Sequence, residues 1–151
     1  TQWKILGDKE TTQFNGRLIG GCFDTISNII GTEYFDFDAF HLNYIDDGII
    51  LYIENAEMSP TAFMRALLSL KFKGVCNKIN GLLIGRNAVT SNKGKEISSF
   101  EALSNALDDL DIPVVYDVDI SHLPPNLTLF NGAFADVSVS NNVGKIKQTL
   151  S

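Results

Sequence analysis

The chain has 151 residues with a net charge of −6, and 44% of its residues are hydrophobic. A chain of this length forms one domain and buries about two thirds of its unfolded surface, so it needs no disulfide or structural metal to fold. Its acidity argues against nucleic acid as a partner. The two cysteines, Cys22 and Cys76, stand in unrelated contexts and predict free thiols in a reducing compartment, with no metal site. The sequence also shows no membrane span and no signal peptide.

The first part of the chain predicts a strand, a glycine turn and a short helix. Trp3–Leu6 suits a short strand or arm, and Phe14–Ile19 predicts a strand that runs into Gly20-Gly21. Apolar residues at helical spacing then predict an amphipathic helix over Cys22–Ile30, closed by Gly31. Such a turn at a helix N-terminus can bind an anion or a carbonyl oxygen, but two glycines equally suit a tight turn without a ligand.

An aromatic and acidic segment and an apolar run follow. Thr32–Asn43 predicts an irregular loop packed by its own aromatic side chains, with His41 as a packing or surface residue. Ile49–Ile53 is an unbroken apolar run and predicts a strand buried on both faces, directly followed by Glu54. Open sheets carry their chemistry at the ends of such strands, so Glu54 is either functional or simply the first polar residue after a core strand.

Two units of a capped helix followed by a short apolar strand come next. The helices are Ser59–Gly74 and Ser98–Leu110, and the strands are Leu82–Ile84 and Pro113–Tyr116, with a polar surface loop over Asn87–Glu96. This alternation predicts a parallel sheet with right-handed crossovers.

The pattern changes after the third buried strand. Leu127–Leu129 and Phe134–Val139 predict two strands joined by Asn131-Gly132. These strands would form a small β layer that closes the domain.

A histidine stands on the loop that follows the third buried strand. His122 precedes Pro124 and Pro125, which fix a non-helical segment. The first and third strands of a parallel unit end at the same edge, so Glu54 and His122 leave the sheet together. A carboxylate that orients a histidine is two thirds of a nucleophilic triad, although two polar loop residues on one edge by accident fit the pattern as well.

The sequence shows no evident nucleophile for this pair. No G-x-S-x-G motif occurs. Ser59 is expected to cap a helix, and Ser121 adjoins His122 on an extended segment, so the two side chains point apart. These observations favour a half-site that another domain completes.

Five short motifs, in this order and spacing, carry a resemblance to a known family. They are Gly16–Cys22, Ile30–Thr32, Leu51–Glu54, Gly81–Arg86 and Ser121–Pro125. Together they resemble the C-terminal domain of the LD-carboxypeptidase family of serine peptidases, and within it the branch of the microcin C self-immunity proteins. The likeness extends from about Trp3 to Val139.

The resemblance implies an α/β fold, namely a swivelling β/β/α domain with a small mostly parallel sheet, crossover helices and a closing β layer. It also implies a two-domain enzyme with a Ser-Glu-His triad, in which Glu54 and His122 would be the glutamate and the histidine. Gly20, Gly21 and Cys22 would lie near the substrate. Family members cleave amide bonds of murein peptides or of aminoacyl- and peptidyl-nucleotides in the cytoplasm, without a metal or cofactor, and are commonly homodimers.

We therefore expect residues 1–151 to be the C-terminal domain alone and to be inactive without the serine domain. Two departures from the family pattern concern the substrate-side loop: Ser121 stands where glycine is usual, and Phe130-Asn131 where a proline is usual. Two other hypotheses remain open. One is a non-catalytic ligand-binding or protein-interaction module, and the other is a self-contained enzyme that uses a thiolate at Cys22.

Overall fold

The computed structural model describes residues 1–89 and 97–150. Within these ranges the strands are β1 (Lys4–Ile5), β2 (Thr11–Cys22), β3 (Ile49–Glu54), β4 (Gly81–Gly85), β5 (Val114–Val118), β6 (Phe134–Ser140) and β7 (Val143–Thr149). They form one sheet in the order β1-β5-β4-β3-β2-β6-β7. The central pairs from β2 to β5 are parallel, whereas β1, β6 and β7 pair antiparallel to their neighbours. The predicted α/β fold with a mostly parallel central sheet is confirmed.

The α-helices in the same ranges are α1 (Phe23–Ile29), α2 (Phe37–Asn43), α3 (Pro60–Phe72) and α4 (Ser99–Leu107). The predicted caps are present: the Ser59 hydroxyl accepts a hydrogen bond from the N–H of Ala62 at 3.3 Å, and Ser98 and Glu101 form a capping box. None of these helices combines the length and apolarity that crossing a bilayer would require.

The central strand β3 has a hydrophobic core on each face. Ile49, Leu51 and Ile53 pack in the core that the helices cover, and Ile50 packs in a second core with residues of β2 and β6. All four side chains are fully buried. The prediction of a strand buried on both faces is therefore confirmed.

The sheet curls, so that its two edges lie together behind the second core. The backbone N–H of Trp3 donates to the carbonyl of Asn142 at 3.0 Å, and the Trp3 indole packs against Gly144 in β7. A Cβ at residue 144 would overlap the indole ring. The closing β layer is thus a continuation of the same sheet.

Two predictions in the first half of the chain are wrong. Gly20 and Gly21 do not form a turn before the helix, because β2 continues through them to Cys22 and pairs with β3 along that length. Thr32–Asn43 is not wholly irregular, because its second half forms α2. The Asp36 carboxylate caps that helix by accepting from the N–H of Ala39 at 2.9 Å.

Further differences occur in the second half. Leu127–Leu129 is not a strand, and Asn131-Gly132 does not join two strands. β6 instead pairs with β7 across Asn141-Asn142, both of which have positive φ. Helix α4 ends at Leu107, before the predicted end. Most of the loop predicted over Asn87–Glu96 lies outside the described residues.

Candidate active site

Glu54 is the last residue of β3 and lies at the carboxyl edge of the sheet. The parallel pairing of β2 with β3 places Cys22 opposite Glu54. Glu54 is only 8% exposed, so its carboxylate is held among protein atoms and not in open solvent. The chain after it is fixed by Asp24, whose carboxylate accepts from the N–H groups of Ala56 at 2.9 Å and Glu57 at 3.1 Å.

The loop that carries His122 crosses closely over the end of β4. Ile120 is buried in the second core and anchors the start of this loop. At Gly85, a Cβ would overlap the carbonyl oxygen of Ile120 and would lie 2.8 Å from the Cβ of Glu54. Glycine is therefore required here for the loop to pass beside Glu54.

Arg86 holds the chain that follows the histidine. Its guanidinium donates to the three successive carbonyls of Leu123–Pro125, with 2.6 Å to the first of them. The Ser121 hydroxyl donates to the carbonyl of Arg86 at 2.8 Å and accepts from the N–H of Leu123 at 3.1 Å. The loop is thus attached to the end of β4 on both sides of His122.

Glu54 and His122 are in direct contact. Nδ1 of His122 lies 2.8 Å from Oε2 of Glu54, and the side chains are 56% and 10% exposed, respectively. An ionised carboxylate can only accept, so Nδ1 carries the proton and Nε2 is free to accept one. The hydrogen bond and charge of Glu54 raise the pKa of His122, and the carboxylates of Asp24 and Glu57 add to this. A histidine held in this way can act as a general base.

Cys22 lies beside this pair. Ligand atoms of Cys22, Glu54 and His122 all lie within 4.8 Å of one another, and the thiol is 3.6 Å from the carboxylate of Asp24. Burial raises the pKa of the Cys22 thiol, and the charges of Glu54 and Asp24 act in the same direction. A thiol that stays protonated at neutral pH is a poor nucleophile, which counts against an enzyme built on a Cys22 thiolate.

The two glycines predicted near the substrate lie on β2 beside β3. The backbone N–H of Gly20 donates to the side-chain oxygen of Asn131 at 3.0 Å, and the hydroxyl of Tyr52 donates to the same oxygen at 2.9 Å. The N–H of Gly20 is therefore already used, so it is not a free donor for an oxyanion. A Cβ at Gly21 would meet only a methyl group of Ile26 at 3.6 Å.

Sequence reasoning missed the residues that hold the chain on either side of the pair. Asp24 and Arg86 have no pattern that assigns them a role in the site, because each bonds backbone groups that are distant in the chain. Arg86 gave a signal only as the last residue of one of the five motifs, and Asn131 only as a departure from the family pattern in the substrate-side loop.

Comparison with known proteins gives the chain its class. Residues 15–137 match the family model of the LD-carboxypeptidase C-terminal domain. The chain is 31% identical to the microcin C7 self-immunity protein MccF of Escherichia coli over 137 residues, which are 90% of this chain and 38% of that protein. It therefore spans about two fifths of the length of this relative.

Solved structures show the same fold. MccF in complex with aspartyl sulfamoyl adenosine superposes with a TM-score of 0.74 at 28% identity, over 99% of this chain and 41% of that one. An MccF-like protein from Streptococcus pneumoniae in complex with AMP gives 0.67 at 28% identity, over 97% and 44%. A muramoyltetrapeptide carboxypeptidase from Oxalobacter formigenes gives 0.77 at 23% identity, over 97% and 48%, and shows the fold alone. One solved MccF active-site mutant has a serine, an asparagine and a lysine replaced by alanine.

These matches put the chain in the class of carboxypeptidase-like proteins. More narrowly, it belongs to the LD-carboxypeptidase family and corresponds to the family's C-terminal domain.

Proposed function

We propose that this chain supplies the base and its orienting carboxylate to a serine-type carboxypeptidase. His122 takes up a proton from a serine hydroxyl, and Glu54 holds the imidazole in one tautomer and stabilises its cation. The observation that carries the proposal is the 2.8 Å contact between Nδ1 of His122 and Oε2 of Glu54 at the carboxyl edge of the sheet. A non-catalytic module has no need of such a contact, so the contact counts against that alternative.

The proposed reaction is an acyl transfer in two steps. The serine oxygen attacks the carbonyl carbon of the scissile amide while its proton passes to Nε2 of His122. The imidazolium then returns that proton to the leaving nitrogen, the C–N bond breaks, and an acyl-enzyme remains for water to hydrolyse by the same route. Glu54 stabilises the imidazolium at each step.

We assign the serine to a domain outside this chain. The hydroxyl of Ser59 caps helix α3, and that of Ser121 bonds the carbonyl of Arg86. The relatives are more than twice as long as the part matched here, and the MccF active-site mutant replaces a serine. The 151-residue chain is therefore expected to be inactive alone.

The proposed substrates carry an amide bond next to a carboxylate. They are murein peptides or aminoacyl- and peptidyl-nucleotides of the microcin C type. The complexes of MccF with aspartyl sulfamoyl adenosine and of its streptococcal relative with AMP favour the nucleotide-linked class. A cytoplasmic location and a homodimer belong to the same proposal, and both Cys22 and Cys76 are free thiols, as a reducing compartment would keep them.

The test uses this chain alone and joined to the serine domain of MccF. Hydrolysis of an aspartyl-adenosine amide and of a murein tetrapeptide is followed by mass spectrometry. We expect turnover only in the joined protein, and we expect His122→Ala to abolish it. His41→Ala, which removes the chain's other histidine, is the control and should retain activity. Turnover by the 151-residue chain alone that is lost in His122→Ala would refute the assignment of the serine to another domain.

A further inference from the structure

Three side chains that commonly bind zinc come together at the candidate site. Cys22, Glu54 and His122 offer a thiol, a carboxylate and an imidazole, and one ligand atom from each lies within 4.8 Å of the others. Thiolate, carboxylate and imidazole are the ligands that Zn²⁺ takes in proteins. The sequence predicts no metal, because these residues lie far apart in the chain and form no spacing motif.

The backbone, and not a mobile side chain, brings the three together. Cys22 and Glu54 are paired across β2 and β3, so their positions are fixed by the hydrogen bonds of the parallel sheet. His122 reaches them because its loop passes close to Gly85 and is held by Arg86. The imidazole of His122 is 56% exposed, whereas the Glu54 side chain is 10% exposed, so the imidazole has more room to turn.

We propose that Cys22, Glu54 and His122 bind one Zn²⁺ ion, which inhibits the chain's base instead of serving it. With Zn–S near 2.3 Å and Zn–N near 2.0 Å, tetrahedral ligand atoms lie about 3.3–3.6 Å apart, so closure from the observed separations needs movements of about 1 Å. Three protein ligands leave the fourth position to water.

The charge around the cluster favours a cation. A carboxylate oxygen of Asp24 lies 3.6 Å from Sγ of Cys22. Two backbone N–H groups donate to the same carboxylate and hold it there. Binding releases the thiol proton, because a coordinated thiol is deprotonated. The imidazole binds in its neutral form, with its proton on whichever nitrogen does not bind the metal.

Metal binding would remove the base by either geometry. An ion on Nδ1 takes the place of the hydrogen bond to Glu54, and an ion on Nε2 occupies the proton acceptor. This inhibition rests on the proposed function, whereas the binding itself does not.

The chain contains a matched control for the thiol ligand and another for the imidazole ligand. It has two cysteines and two histidines in all. Cys76 is buried in the helix-covered core, and His41 lies on α2. Cys76→Ala and His41→Ala therefore remove the same chemical groups away from the cluster.

The binding test uses Zn²⁺ in competition with a chromophoric chelator and Co²⁺ absorption as a report on the thiolate. We expect one ion per chain and a thiolate-to-cobalt charge-transfer band in the wild type and in both controls. Cys22→Ser should lose the band, and His122→Ala should weaken Zn²⁺ binding by about tenfold or more, as judged from the sensitivity of metal sites to loss of ordering groups. Urea unfolding of each variant checks that it is folded, and Cys22→Ala provides a second test of the thiol.

Three outcomes would overturn the proposed site. They are saturation at other than one ion per chain, a cobalt charge-transfer band that persists in both Cys22 variants, and loss of that band in Cys76→Ala. In the joined enzyme the two proposals separate. Zn²⁺ that binds through Cys22 without slowing turnover would refute the role of His122 as base and leave the site standing. Activity that depends on His122 in a protein that binds no Zn²⁺ would refute the site and leave the function standing.

Discussion

Replacing Glu54 with glutamine separates the charge of this residue from its shape. Glutamine fills the same space at the end of β3, where the native side chain is 10% exposed and 2.8 Å from Nδ1 of His122. It still offers an oxygen to Nδ1, but it cannot stabilise an imidazolium by charge. In the joined enzyme we therefore expect kcat to fall by a factor on the order of 10²–10⁴, by analogy with the orienting carboxylate of other triads.

The same variant changes the titration of His122 in a defined direction. The Glu54 hydrogen bond and charge raise the pKa of His122, so the neutral, basic form is reached at higher pH than for an ordinary histidine. Glu54→Gln should lower that pKa, and the acid limb of kcat/KM should move to lower pH. The raised pKa also makes the folding stability depend on pH. The stability that the ion pair contributes is fully present below the pKa of His122 in the unfolded chain, and it is lost as the pH rises through the higher pKa of His122 in the folded chain.

The assay is an NMR titration of the His122 ring, with EDTA present, together with a pH–rate profile of the joined enzyme. Glu33→Gln, which changes an exposed glutamate of the same charge, is the matched control and should alter neither. An unchanged kcat with an unchanged His122 pKa in Glu54→Gln would remove Glu54 from the mechanism.

Three further predictions concern two residues that place this pair and one helix cap outside the site. Gly85→Ala should destabilise the chain by about 1–3 kcal/mol in urea unfolding, because its Cβ would overlap the carbonyl of Ile120; a change near zero would contradict the close approach. Arg86→Lys should lower kcat by about 10- to 100-fold with little change in KM, since a compact ammonium lacks the two separate nitrogens from which the planar guanidinium reaches the three carbonyls; Arg65→Lys at an exposed position of α3 is its control, and a shift in KM alone would argue against positioning. Ser98→Ala should cost about 1 kcal/mol through loss of the capping box without affecting the His122 titration, and a shift in that titration would contradict the expectation that this cap acts only on helix α4.

The elements that the sequence predicts correctly are those with a local cause. An unbroken apolar run is enough for β3, and a serine cap is enough to begin α3 and α4. Helix α2 was missed because its aromatic residues show no clean period, and its cap at Asp36 is one of several acids in that segment. Strand β7 was missed because none of its residues is fully buried, so no apolar alternation marks it.

The only part of the candidate site that the residue pattern predicts is the part that follows from the order and direction of the strands. That Glu54 and His122 leave the same edge follows from parallel strands, and the contact between them agrees with it. The family resemblance places Cys22 near the substrate, but its pairing opposite Glu54 could not be predicted from the residues, because it depends on β2 running through Gly20 and Gly21 and on the register of β2 with β3. Pairing register is a property of two distant segments and leaves no mark in either one.

The anchoring of Glu54 and of the His122 loop at the ends of the neighbouring strands β3 and β4 bears on how a whole enzyme would work under the proposed function. Glu54 ends β3, and the His122 loop is held by Arg86, which directly follows β4. Strands β3 and β4 are hydrogen-bonded to each other from Ile50–Gly81 to Ile53–Ile84, so their pairing, together with the Arg86 contacts to the His122 loop, holds the carboxylate and the imidazole side by side. The pair is therefore formed within this chain. Under the proposed function, docking of a serine domain would have only to bring a hydroxyl to Nε2 of His122, and it should leave the hydrogen bond between Nδ1 and Glu54 unchanged.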